Sequence, residues 1–96
     1  MTSRNINITN NYGKPVRVQV IQMDNNTDDI TLENNKTRTL AIRTPLFREP
    51  SDCDVTVLVY EIGDDTFKEK QTIQGSQNDV DVTIEKDNNN PVISLV

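Results

Sequence analysis

The sequence predicts a small all-β domain, a two-layer antiparallel β-sandwich of seven to eight strands. Thirty of the 96 residues are β-branched (10 Val, 9 Ile and 11 Thr), against one Ala and five Leu. Branching at Cβ suits a pleated strand and crowds the turn of a helix. Apolar and polar residues also alternate in short runs, which turn residues separate at intervals near ten residues. This rhythm is typical of a sandwich, and a small β-barrel is the alternative.

The first half of the chain predicts four strands. Val16, Val18 and Val20 alternate with polar residues, so their side chains share one face. Turn residues separate the strands, as at Gly13, which can adopt a positive φ. The four predicted strands cover residues 4–9, 15–22, 30–32 and 37–43.

The second half repeats this rhythm. Pro45 and Pro50 lie in the connection between the halves, residues 44–53, and exclude it from a central strand. We expect the chain to cross there from one sheet to the other. The strands predicted after it cover residues 54–62, 66–74, 80–84 and 91–96.

The segment from Ile6 to Val20 reads Ile-Asn-Ile-Thr-Asn-Asn-Tyr-Gly-Lys-Pro-Val-Arg-Val-Gln-Val. It resembles the opening hairpin of small immunoglobulin-like sandwiches. The resemblance covers 15 residues and implies an immunoglobulin-like architecture. It implies nothing about function, because one fold supports many functions.

Length and charge limit the possible organisation and partners. Ninety-six residues are enough for one core, so residues 1–96 form a single domain. The net charge of −5 argues against binding to nucleic acid and to anionic membrane surfaces. The sequence shows neither a signal peptide nor a transmembrane segment, and Cys53 has no intrachain partner for a disulfide. We therefore expect a cytoplasmic protein with a reduced thiol.

The composition also argues against catalysis. The chain has no His, the residue that serves most often as general base and as metal ligand. Without it, Cys53 has no obvious group to activate it as a nucleophile. The sequence thus predicts a protein that is not an enzyme and needs no cofactor.

The strand over residues 54–62 is apolar on both faces. Leu58, Tyr60 and Ile62 point away from the face that joins the core. We expect either the domain's own loops or a second chain to cover them. The main functional prediction is a non-enzymatic binding or structural module that acts through protein–protein contact, with this outer sheet face forming a homo-oligomer. Leu46 and Phe47, in the proline-flanked loop, are a second candidate contact with a protein partner.

Two alternatives remain open. Asp24, Asn26 and Asp28 place oxygen ligands at alternate positions, and Asp64 and Asp65 would add to them if the loops cluster. This set predicts a calcium site for calcium-dependent binding of a ligand or a carbohydrate. The second alternative is an acidic inhibitor that occupies a basic groove on another protein.

Overall fold

Eight strands form two four-stranded sheets that pack face to face, which confirms the predicted β-sandwich. The computed structural model describes residues 4–23, 26–44, 48–49, 52–75 and 78–95. The strands are β1 (Arg4–Asn10), β2 (Val16–Ile21), β3 (Thr27–Leu32), β4 (Thr37–Ile42), β5 (Val55–Glu61), β6 (Glu69–Ile73), β7 (Val80–Asp87) and β8 (Asn90–Leu95).

The first sheet has the strand order β4-β1-β7-β8, and the second has the order β3-β2-β5-β6. Neighbouring strands are antiparallel except β1 and β7, which are parallel. The first sheet is therefore mixed, whereas the sequence predicted only antiparallel pairing. Alternation of apolar and polar residues is the same in both kinds of pairing, so the sequence pattern could not distinguish them.

The predicted opening hairpin is wrong. β1 belongs to the first sheet and β2 to the second, so the segment Ile6–Val20 is a crossover between the layers. Its turn residues serve to change sheets, which brings Ile8 of one layer and Val18 of the other into the same core. The immunoglobulin-like architecture that this segment implied is not confirmed.

The core lies between the two sheets and consists mainly of Val and Ile. Alternate residues of each inner strand point into it, as the sequence predicted. Burying one such side chain stabilises the fold by about 1.5–3 kcal/mol. Leu40, Val80 and Ile93 are partly buried against this cluster. The fully or nearly fully buried aliphatic side chains are Ile6, Ile8, Val16, Val18, Val20, Ile42, Val55, Val57, Val59, Val82 and Ile84.

The chain changes sheets between β1 and β2, β3 and β4, β4 and β5, and β6 and β7. The predicted crossing between residues 44 and 53 is one of these. The other three connections join antiparallel neighbours within a sheet. The last one has two central residues, Asn88 and Asn89, with φ of 50° and 66°. Positive φ at both positions is the geometry of a type I′ hairpin turn, and Asn tolerates it well.

Asn10 connects two of the crossovers although it is polar and fully buried. Its Nδ2 donates to the carbonyl oxygens of Lys14 (2.8 Å) and Leu32 (2.9 Å). Its Oδ1 accepts from the backbone N–H of Tyr12 (2.8 Å). Its own carbonyl oxygen accepts from the N–H of Asn35 (2.7 Å). One side chain thus satisfies backbone groups of the β1–β2 connection and of the end of β3.

We expect Asn10→Ala to lower the free energy of unfolding by about 2–4 kcal/mol, because it leaves two buried backbone groups and one partly buried carbonyl oxygen without their partner. Urea denaturation measures this loss. Asn11→Ala is the matched control, since the Asn11 side chain is exposed and its removal should change stability by no more than about 0.5 kcal/mol. Equal effects of the two substitutions would contradict the role assigned to Asn10.

Candidate functional site

The outer face of the second sheet contains Leu58, Tyr60 and Ile62, the main contact residues that the sequence predicted. Because side chains alternate along β5, Val57 and Val59 enter the core while Leu58 and Tyr60 point outward. Leu58 and Tyr60 are nevertheless only 7% and 8% exposed, whereas Ile62, just beyond the strand, is 55% exposed. Neighbouring side chains therefore cover most of this apolar surface.

Tyr60 is held by three neighbours. The Arg17 guanidinium lies 4.3 Å from the centroid of its ring, a cation–π contact. The Tyr60 hydroxyl donates to Gln19 Oε1 (2.7 Å), and the Phe67 ring meets the tyrosine ring edge-on at 6.4 Å. Arg17 also donates through Nε to Asp29 Oδ1 (3.1 Å). The cluster is fixed before any partner arrives.

Exposed apolar surface on this side of the molecule lies in the connection between β5 and β6. Ile62 and Phe67 are 55% and 44% exposed. Register also places the exposed Lys70 of β6 beside Leu58, on the same face. We call this surface the tyrosine face, which comprises Arg17, Gln19, Leu58, Tyr60, Ile62, Phe67 and Lys70.

Sequence reasoning identified Tyr60 and Ile62 but gave no role to Arg17 or Phe67. Arg17 was visible as an outward residue of its strand. Its position over Tyr60 depends on the pairing of β2 with β5, in which Arg17 lies opposite Tyr60. Local sequence does not specify that register.

A groove adjoins the tyrosine face at Ile62. Its volume is about 440 Å³, and it lies at the end of the sandwich where the β1–β2 crossover meets the ends of β3 and β5. Its lining combines apolar surface with two carboxylates and one ammonium group. The lining residues are Tyr12, Lys14, Pro15, Thr31, Glu33, Glu61 and Ile62.

Tyr12 forms the floor of this groove and is 3% exposed. Its hydroxyl donates to the Glu61 carboxylate, and the carbonyl oxygen of Asn89 is a second acceptor at 2.9 Å. The hydrogen bond to Glu61, together with burial and the negative charge of that carboxylate, raises the pKa of Tyr12 to about 12. Tyr12 therefore ties the crossover to β5 and to the turn before β8.

The proposed calcium ligands do not come together in the described residues. Asp28 lies opposite Val20, which in turn lies opposite Val57. Glu61 lies four residues further along β5 than Val57, a separation of about 13 Å along the strand. Asp64 lies further still, in the turn that follows Glu61. The Asp28 and Asp64 carboxylates are thus at opposite ends of the second sheet.

The Asp64 carboxylate already has a hydrogen-bond donor and an ion-pair partner within the chain. The backbone N–H of Thr66 donates to it (3.0 Å), and Lys68 Nζ forms an ion pair with it (3.2 Å). These contacts lower the pKa of the Asp64 carboxyl. Asp65 and Asn26 are exposed. Across the described ranges, no three Cys, Asp or Glu residues are grouped so that they could hold a metal ion.

Asp24, Leu46 and Phe47 lie outside the residues that the structure describes. The roles predicted for them, as a calcium ligand and as a loop contact with a partner, stay predictions. The neighbouring part of the loop that is described shows Arg48 and Glu49 exposed.

Comparison with known proteins gives no match, either to the model of a known family or to a curated protein. Within the described part of the chain, no helix has the length and apolar character to span a membrane. Function therefore has to be inferred from the residues and their geometry.

We expect the free energy of unfolding to fall as the pH rises from about 10 to about 12. The unfolded chain loses the Tyr12 proton near pH 10, while the folded protein retains it up to its raised pKa, so the stabilisation is complete only below pH 10. Tyr12→Phe keeps the ring and removes the hydroxyl. Its stability should be lower than that of the parent protein below pH 10, and the difference should shrink across this range. Parallel stability curves in urea titrations of the two proteins would contradict the assignment.

Proposed function

We propose that this domain is a non-enzymatic module that acts through protein–protein contact and self-associates through the tyrosine face. One observation supports this most directly. Ile62 and Phe67, two of the most exposed large apolar side chains in the described structure, flank a fixed cluster of Tyr60 and Arg17. Aromatic residues and Arg are enriched at the centres of protein interfaces, where a few of them supply most of the binding energy.

The rigidity of the cluster favours binding. Gln19 and Phe67 hold the Tyr60 ring, and Asp29 holds Arg17. Side chains that are already ordered lose little conformational entropy when a partner docks. The tyrosine face is therefore better suited to recognition than a surface of mobile side chains would be.

The outer face of the second sheet is small for a protein interface. Four strands about 4.8 Å apart and about 20 Å long cover less area than the roughly 800 Å² per partner of a standard interface. Polar groups such as Gln19 and Arg17 reduce the apolar share further. We therefore propose a weak association that depends on protein concentration.

A cytoplasmic location is part of this proposal, and the state of Cys53 supports it. The residue is 1% exposed, and its thiol is free and lies 3.4 Å from the Glu49 carbonyl oxygen. A buried free thiol is common in proteins of reducing compartments.

Sedimentation equilibrium over a series of protein concentrations tests self-association. We expect the mass of the parent protein to rise above the 10.9 kDa of one chain. The variant Ile62→Ser with Phe67→Ser should stay monomeric, because it removes the exposed apolar area. Met23→Ser is the matched control, since Met23 is 42% exposed but lies at the opposite end of β2 from this connection. A parent protein that is monomeric at every concentration would refute the proposal.

A further inference from the structure

The outer face of the first sheet differs sharply from the tyrosine face. Val82 and Ile84 point into the core, so Asp81 and Glu85 point outward, and Asp87 continues the same side of β7. We call this surface the acidic face, defined by Asp81, Glu85 and Asp87. Among the described strands that form it, the other outward side chains are uncharged: Thr37, Thr39, Ala41, Asn5, Asn7, Thr9, Thr83, Asn90, Val92 and Ser94.

Hydrogen bonds across three strands fix the centre of the acidic face. Thr39 Oγ1 donates to Asn7 Oδ1 (2.7 Å), and Asn7 Nδ2 donates to Asp81 Oδ1 (2.8 Å). Thr9 and Thr37 share a further hydrogen bond of 2.8 Å between their hydroxyls. The face is an ordered polar surface with a row of carboxylates along β7.

The two faces differ in net charge. The outer face of the second sheet carries two positive side chains, Arg17 and Lys70, and one negative side chain, Asp29, whereas the acidic face carries three carboxylates. Ion pairs among the described residues are Arg17–Asp29 and Lys68–Asp64. Lys70 on the tyrosine face therefore has no ion-pair partner in that part of the chain, and neither do the carboxylates of the acidic face. Since the two sheets pack together through their inner faces, these outer faces point in opposite directions.

We infer that the tyrosine face of one copy docks on the acidic face of a second copy. This inference rests on the proposed self-association and names the surface that receives it. Pairing two acidic faces would oppose their carboxylates, and pairing two tyrosine faces would leave those carboxylates without a counter-charge, because Arg17 is already neutralised by Asp29. Like charges across an interface are costly, whereas the mixed arrangement satisfies both charge sets.

The mode of docking determines the shape of the assembly. The tyrosine face and the acidic face are different surfaces, so their contact is heterologous and leaves one free face at each end of every assembly. Copies then add head to tail in an open chain instead of stopping at a dimer.

Two variants, each with one face disabled, test this arrangement. Phe67→Ser with Lys70→Glu disables the tyrosine face, and Glu85→Lys with Asp87→Lys disables the acidic face. All four side chains are exposed, so both variants should fold, which circular dichroism and urea denaturation verify. Sedimentation should show each variant alone as a monomer at concentrations where the parent protein associates.

The mixture of the two variants is the decisive sample. Each retains the face that the other has lost, so an equimolar mixture should form a dimer of twice the monomer mass and nothing larger. Raising the salt concentration should dissociate this dimer, because salt screens exposed charges. The control is Glu49→Lys with Asp52→Lys, which makes the same change in net charge as the acidic-face variant at exposed positions in the connection between β4 and β5 and should still associate.

The outcomes separate the two proposals. If the parent protein associates and only the tyrosine-face variant loses association, self-association stands and head-to-tail docking is wrong. A mixture that remains monomeric also overturns head-to-tail docking. A parent protein that never associates refutes the proposed function itself.

Discussion

The fold depends on satisfying backbone polar groups where the chain passes from one sheet to the other. A sandwich whose chain changes layers four times must turn next to its own core, where water cannot reach every N–H and carbonyl group. At one end of the molecule, the buried side-chain amide of Asn10 supplies these hydrogen bonds. It bonds to backbone groups of the β1–β2 crossover and to the carbonyl oxygen of the last residue of β3. A buried network of this kind tolerates little change, since each lost partner leaves another group unsatisfied.

The same crossover shapes the surface around it. Once Asn10 fixes the turn, Tyr12 reaches across to Glu61 and to the Asn89 carbonyl oxygen. These contacts hold the end of β5 in place, and β5 carries Tyr60 on its outer side. The tyrosine face is thus supported from within by a crossover that does not belong to its own sheet. Its exposed apolar residues, Ile62 and Phe67, are in the connection that begins at this fixed point.

The strands could be located from sequence because Val and Ile alternate so regularly. Val16, Val18 and Val20, for example, occupy the core positions that their spacing predicts. Strand partners could not be deduced, since alternation says which side chains face inward and nothing about which strand lies alongside. The outward direction of Leu58 and Tyr60 was therefore predictable, whereas the contacts of Arg17 and Phe67 with Tyr60 were not. Tyr12 and Glu61 are 49 positions apart in the chain. Their contact also depends on which strands lie side by side, which the alternation does not specify.

The parallel pairing of β1 with β7 has a consequence for how the chain folds during synthesis. β1 is synthesised before the other strands of this domain, yet it lies in the interior of its sheet, and its neighbour on one side is about 74 positions further along the chain. Contacts of such long sequence separation form slowly, because a large loop must close before they are gained. Until β7 is made, β1 presents an open edge that can pair with other chains. β1 can therefore take its final place only after β7 has been synthesised, long after β1 itself.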